Sequence, residues 1–111
     1  MSREIAVVRA FTEAFLTRRL DDMVPLLLQD CHDRNPYPLQ PAGAGGVLWK
    51  AAMFHALYEG FTSSFDDFKE EEARVVALWT TTFPNGVYTR WRGRFVVADE
   101  RIADFEVERV G

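Results

Sequence analysis

The sequence has little cysteine, no excess of basic residues and no long apolar run. Its single cysteine, Cys31, excludes a disulfide within the chain. Thirteen Lys and Arg against seventeen Asp and Glu give a net charge of −4, so the positive charge that binds nucleic-acid phosphates is missing. No apolar stretch approaches the roughly 20 residues of a membrane span, and the first residues lack a signal-peptide pattern. We therefore expect a cytoplasmic protein with no nucleic-acid and no membrane partner.

Aromatic side chains, by contrast, are abundant. They make up 14% of the 111 residues, and hydrophobic residues make up 48%. A chain of this length forms one domain, so we expect residues 1–111 to share one core without metal or disulfide crosslinks. So many rings indicate a large apolar surface to bury or a cavity lined by them.

Helical periodicity predicts three helices in the first half of the chain. The first spans residues 2–18, with an apolar face of Ile5, Val8, Phe11, Thr12 and Phe15. A short second helix is expected over 21–28, with Asp21 or Asp22 as its N-cap. The third runs from Val47 to Gly60. Between the last two, the proline- and glycine-rich residues 30–46 predict a short strand and a loop, with 43–46 as a hinge and helix entry.

The last 45 residues are typical of strands whose turns set the register. Phe83-Pro84-Asn85-Gly86-Val87 predicts a bulged hairpin that closes Phe83 on Val87. At that register one face holds the pairs Thr81–Thr89, Trp79–Trp91, Ala77–Gly93 and Val75–Phe95. That face is expected to be buried.

A second turn near residues 98–100 is expected to close Val97 on Arg101. This choice predicts three opposite-charge pairs on the other face, Arg94–Asp104, Arg92–Glu106 and Arg90–Glu108. It also places Ala103, Phe105 and Val107 on the apolar face. The sheet is thus expected to be apolar inside and charge-paired outside.

Six short motifs are distributed over nearly the whole chain: Val8-Arg9-Ala10-Phe11, Ala14-Phe15, Leu20-Asp21-Asp22-Met23, Leu27-Leu28-Gln29-Asp30, Asp33-Arg34-Asn35-Pro36 and Arg101-Ile102-Ala103-Asp104. With the order of elements, they resemble the SnoaL-like polyketide cyclase branch of the nuclear transport factor 2-like superfamily. The resemblance implies an α+β fold, a cone-shaped curved antiparallel sheet wrapped around a long helix, with three helices and about four strands. It also implies a pocket for a small ligand, no obligatory cofactor and frequent homodimers through the outer sheet face.

The resemblance does not carry over the catalytic residues of the enzymes in the superfamily. The base position of ketosteroid isomerase matches Asn35 and its tyrosine position matches Phe11, by the same motifs. An amide cannot abstract a proton and a phenyl ring donates no hydrogen bond. Where the cyclases have an inward Asp on the last strands, this chain offers Phe105 and Val107. Neither mechanism can therefore be copied.

Asp33, His55 and Tyr58 are the catalytic candidates. Asp33 could point from the short strand into an aromatic cavity and act as a base, or it could cap nearby loop amides. His55 and Tyr58 on the third helix could assist it, or they could be a helix-surface imidazole and a core ring. Cys31 and His32 precede Asp33 directly, and consecutive strand residues diverge, so we expect no metal site.

The ligand-binding candidates are mostly aromatic. Trp79 and Trp91 face each other beside Gly93, which would form a tall wall above a low floor. Alternatively, Gly93 marks a bulge and the indoles pack on the third helix. The other candidates are Phe11, Phe15, Asn35, Phe54, Phe95 and Phe105.

We therefore predict that the protein binds a small apolar or aromatic molecule in a cone-shaped pocket, with cofactor-free acid–base chemistry of the cyclase or isomerase type. The alternative is a non-catalytic homodimeric association module whose cavity is filled by its own side chains. Epoxide hydrolysis is disfavoured, because only Asp33 and an arginine such as Arg101 or Arg109 face inward. We expect a homodimer without cofactor or metal ion.

Overall fold

Two α-helices and two 3₁₀ turns accompany a five-stranded sheet in the computed structural model, which describes residues 2–111. The elements, in chain order, are α1 (Arg3–Leu16), two 3₁₀ turns (Leu20–Asp22 and Val24–Leu26), β1 (Leu27–Asp33), α2 (Gly43–Leu57), β2 (Thr62–Glu71), β3 (Arg74–Thr82), β4 (Tyr88–Ala98) and β5 (Arg101–Arg109). The strand order is β1-β5-β4-β3-β2. Strand β1 is parallel to β5 and every other pair is antiparallel. The predicted α+β class is confirmed.

Helix α1 forms where its periodicity predicted it. The Ser2 hydroxyl caps the helix by accepting the Ile5 N–H at 3.0 Å. Val8 and Phe11 are buried one turn apart and face the sheet. The helix thereby covers the inner face of β2 to β5.

Helix α2 begins four residues before Val47, so residues 43–46 are the expected helix entry, whereas the expected hinge is wrong. Those residues form the first turn of the helix. A side chain at Gly46 would place its Cβ 1.7 Å from the Pro41 carbonyl oxygen, so only glycine lets the proline-rich loop pass so close. The helix also ends at Leu57, before the predicted Gly60.

The expected second helix over 21–28 is replaced by two short 3₁₀ turns and the start of β1. Leu27 and Leu28 belong to β1, because pairing with β5 draws them into the sheet. The preceding residues form the two 3₁₀ turns. Pro25 lies at the start of the second turn, where a backbone N–H would have no hydrogen-bond partner within the turn. Met23 is fully buried, as expected of a core residue.

Strand β2 is the strand that the sequence did not reveal. Its two partly buried rings, Phe65 and Phe68, are three residues apart, whereas strand alternation has a period of two. A bulge between Phe65 and Asp67 adds one residue and brings both rings to the same face. The sheet therefore has five strands, not about four.

The β3–β4 hairpin confirms the predicted register. The Phe83 N–H donates to the Val87 carbonyl at 2.8 Å, and the Gly86 N–H donates to the Phe83 carbonyl at 2.9 Å. Trp79 then pairs with Trp91, and the remaining predicted pairs follow along the strands. Gly93 lies in unbroken register, so it does not mark a bulge.

The predicted β4–β5 register is wrong by two residues. The turn is a tight one over Asp99 and Glu100, whose φ angles are 53° and 60°, and a bulge follows at Ala103. The pairs are therefore Phe95–Phe105, Gly93–Val107, Arg94–Glu106 and Arg92–Glu108. Beyond the bulge the shift is even, so residues from Asp104 onward keep their predicted faces. Before the bulge the faces are reversed: Ile102 is buried and Arg101, expected to face inward, is exposed.

The outer face carries ion pairs, as expected, although with different partners. Arg94 contacts Glu108 at 2.8 Å, and Arg92 contacts the same carboxylate at 3.1 Å. These groups are partly exposed, so they contribute little to stability.

None of the helices within residues 2–111 combines the length and apolarity needed to cross a membrane.

Gly93→Ala is expected to lower the free energy of unfolding by about 1–3 kcal/mol. A Cβ at this position would lie 2.6 Å from Phe95 Cε1 and 3.0 Å from Trp79 Cζ3, and the Phe95 ring is fully buried. Urea denaturation at pH 7 measures the change. Gly45→Ala is the matched control, because a Cβ there would meet no neighbouring atom within 4 Å, and it should raise stability by about 0.5–1 kcal/mol. Equal effects of the two substitutions would contradict this packing.

Candidate functional site

A cavity of about 220 Å³ lies between the two helices and the inner face of the sheet. All eight residues predicted to contact a ligand line it: Phe11, Phe15, Asn35, Phe54, Trp79, Trp91, Phe95 and Phe105. The sequence did not identify the other five, Thr12, Tyr37, Lys50, Thr81 and Val107. Contact with a ligand stays a prediction for the eight residues named from the sequence.

The deep end of the cavity is a cluster of phenylalanine rings. The Phe11 ring centroid is 6.2 Å from Phe15, 6.1 Å from Phe95 and 5.8 Å from Phe105. Phe95 and Phe105 stack at 5.7 Å with 18° between their planes. The Phe95 ring packs against Gly93, and Gly93 is not among the lining residues, so the glycine does not form an open floor of the cavity.

Asp33 is buried beside the cavity, where it pairs with Phe105 between β1 and β5, but it does not line the cavity. Its side chain is 5% exposed. One oxygen, Oδ1, accepts the Asn35 N–H at 2.9 Å, which is the loop-capping role considered as the alternative. The other, Oδ2, accepts from Gln40 Nε2 at 3.1 Å and from Lys50 Nζ at 3.0 Å. The Asp33 carboxylate therefore accepts three hydrogen bonds and is not itself part of the cavity lining.

Lys50 supplies the positive charge of the site. Its side chain is 12% exposed, and Nζ also donates to the main-chain oxygen of Asn35 at 2.8 Å. The sequence did contain a signal for it: Lys50 is the only Asp, Glu, Lys or Arg in α2, and it lies four residues before Phe54 on the same side of the helix. A lone charge on an otherwise apolar helix face indicates a buried partner.

Asn35 and Tyr37 complete the polar end of the cavity. Asn35 Oδ1 accepts the Val107 N–H at 2.8 Å and so extends the pairing of β1 with β5. Burial raises the pKa of Tyr37, and the neighbouring Tyr58 and Asp33 raise it further. The Tyr37 side chain is therefore a neutral phenol at pH 7.

The structure places His55 and Tyr58 outside the cavity wall. His55 Nε2 is 2.6 Å from the Phe15 carbonyl oxygen, so the imidazole joins α2 to the end of α1. Tyr58 is 44% exposed and packs against Phe54 and Phe83. We therefore assign neither residue a catalytic role below.

The residues that flank Asp33 in the sequence, Cys31, His32 and Arg34, do not line the cavity either. His32 is exposed and contacts Asp104 at 3.4 Å; Arg34 binds the same carboxylate at 2.7 Å and lowers the pKa of Asp104. Burial raises the pKa of Cys31 to about 12, so it stays a thiol. Within residues 2–111, no three His, Cys, Asp or Glu side chains are close enough to hold a metal ion.

Residues 8–105 match the family model of the SnoaL-like domain. No curated protein matches the chain in sequence. Solved structures of similar fold include two that are named putative polyketide cyclases. The one from Bacillus cereus ATCC 10987 has a TM-score of 0.84 at 14% identity, over 96% of this chain and 74% of its own. The other, IdmH from Streptomyces antibioticus, has a TM-score of 0.74 at 18% identity, over 94% and 89% of the two chains.

A third structure of similar fold is an NTF2-like protein of unknown function from Burkholderia pseudomallei K96243. It has a TM-score of 0.76 at 22% identity, and the match covers 99% of this chain and 92% of its own. At these identities the structural matches support the fold and not the activity.

Lys50→Met is expected to lower the free energy of unfolding by about 3–5 kcal/mol, because it leaves the buried Asp33 carboxylate without its cation. Urea denaturation at pH 7 measures the loss. The double variant Lys50→Met/Asp33→Asn removes both charges and keeps an amide at position 33. It should lose less than about 2 kcal/mol. If the double variant is no more stable than Lys50→Met, the two side chains do not act as a pair.

Proposed function

The chain belongs to the SnoaL-like domain family, and from this premise we propose that it binds a small apolar or aromatic molecule in the cavity between its helices and sheet. The observation that carries the proposal is the cavity itself, since eight of its thirteen lining side chains are aromatic. The polyketide cyclase names of two proteins of similar fold support the same ligand class.

The cavity volume bounds the size of the ligand. An apolar cavity of about 150 Å³ is large enough for benzene. A volume of about 220 Å³ therefore fits a molecule of one or two rings without side-chain movement. Trp79 and Trp91 line the cavity, so their fluorescence should report its occupancy.

Tetralin, a two-ring hydrocarbon, is expected to quench or shift this fluorescence and to raise the melting temperature. The variant Trp49→Phe removes the one indole that does not line the cavity. In that background, Val107→Phe should weaken binding about tenfold or more, because the larger ring occupies the cavity. Val87→Phe adds the same ring at the exposed hairpin and serves as the control. Failure of tetralin and related two-ring compounds to bind would contradict the proposal.

A second candidate adds acid–base chemistry of the cyclase or isomerase type, without a cofactor. The observation that favours it is the buried Asp33–Lys50 pair, which adjoins the cavity. The ammonium can polarise a carbonyl oxygen, and the carboxylate is the nearest group able to accept a proton from the adjacent carbon. Lys50 and Gln40 both donate to Asp33 Oδ2, so this oxygen would reach the proton only if one of these two hydrogen bonds broke.

Exchange of the α-hydrogens of 1-tetralone in D₂O, followed by mass spectrometry, tests this chemistry without knowledge of the product. The protein is expected to accelerate exchange, and Asp33→Asn to remove about 10²- to 10⁴-fold of that acceleration. Tyr58→Phe should leave the rate unchanged, because that ring lies outside the wall. An unchanged rate in Asp33→Asn would eliminate Asp33 as the base.

The association module with a filled cavity has less support, since the side chains leave about 220 Å³ unoccupied. The homodimer stays a prediction. We expect two copies to meet through the outer face of β4 and β5, where arginines and glutamates already alternate.

A further inference from the structure

The buried ammonium of Lys50 has a donor that the protein does not use. An ammonium carries three N–H groups. Asp33 Oδ2 accepts one at 3.0 Å and the Asn35 main-chain oxygen accepts another at 2.8 Å. Within residues 2–111 no third oxygen accepts from Nζ, which instead lies 5.3 Å from the centre of the Tyr37 ring. Since Lys50 lines the cavity, the third N–H is available to a ligand atom there.

The two threonine hydroxyl groups in the wall are already engaged. Thr12 donates to the Val8 carbonyl at 2.9 Å, and Thr81 shares a hydrogen bond of 3.0 Å with Ser63. Among the lining residues, Lys50 is the only one with a charge at pH 7. Lys50 is therefore the one charged donor in the wall, beside uncharged donors such as the Tyr37 hydroxyl and the indole N–H groups of Trp79 and Trp91.

The charge of Lys50 is already balanced, and this restricts the chemistry of the ligand. Asp33 neutralises the ammonium, so a ligand carboxylate would leave an uncompensated negative charge in an apolar cavity. A hydrocarbon would leave the third N–H without an acceptor once the cavity is dry. An uncharged oxygen acceptor avoids both penalties.

Resting on the function proposed above, we propose that Lys50 determines ligand specificity and selects an uncharged one- or two-ring molecule that carries a carbonyl oxygen. The carbonyl oxygen accepts the third N–H of Lys50, and the rings lie against the aromatic wall. Asp33 is a positioning residue, because its carboxylate holds Nζ at the cavity edge. Binding makes and breaks no covalent bond.

Three probes of matched size test the inference: 1-tetralone carries the carbonyl, tetralin lacks it, and 1-naphthoate carries a negative charge. Affinities are measured at pH 7 by the fluorescence of Trp79 and Trp91 in the Trp49→Phe background. We expect 1-tetralone to bind about tenfold or more tighter than either of the others. Equal binding of 1-tetralone and tetralin, or tighter binding of 1-naphthoate, overturns the inference and leaves the proposed function standing. Absence of binding by all three overturns both.

Variants assign the preference to Lys50. Because Lys50→Met alone leaves a buried charge, the double variant Lys50→Met/Asp33→Asn is measured as well. We expect it to bind tetralin within about threefold of the parent and to lose the preference for 1-tetralone. The ratio of two affinities in one protein is insensitive to a general loss of stability. Tyr37→Phe, which removes only the neighbouring hydroxyl, should keep the preference. Loss of the preference in Tyr37→Phe, with retention in the double variant, overturns the inference.

Discussion

Side-chain alternation along β3, β4 and β5 is the constraint on which the rest of the structure depends. Every second residue of these strands faces the helices, and these residues include Trp79, Trp91, Phe95 and Phe105. A slip of one residue would turn the rings to solvent and the arginines inward. The tight turn at Asp99 and Glu100 would by itself cause such a slip, and the bulge at Ala103 cancels it. Two local irregularities thus preserve one continuous apolar face.

The same features explain how far the sequence could be interpreted. The β3–β4 register was predictable, because Pro84, Asn85 and Gly86 specify their turn. The next turn contains no glycine although two of its residues have positive φ, so its geometry left no trace in residue type. In β2 the bulge separates Phe65 and Phe68 by three residues and hides the strand period. Local propensity cannot report a distortion that only the neighbouring strand makes favourable.

The polar end of the cavity was harder to predict than the aromatic wall. Ring positions follow from periodicity, whereas the Asp33–Lys50 pair joins a strand to a helix across 17 residues of chain. The position of Asp33 in the sequence suggested a base without a partner. In the structure three donors hold that carboxylate, and Lys50, not Asp33, is among the residues that line the cavity. The partner of a buried charge decides its chemistry more than the charge itself does.

Asn35 joins the edge of the sheet to the site by using its two oxygen atoms for different tasks. Its side-chain amide imitates a strand carbonyl toward Val107, and this substitution frees the main-chain oxygen for Lys50. A residue without a side-chain acceptor would leave the Val107 N–H without this partner. Sheet termination and cavity polarity are therefore coupled through one residue.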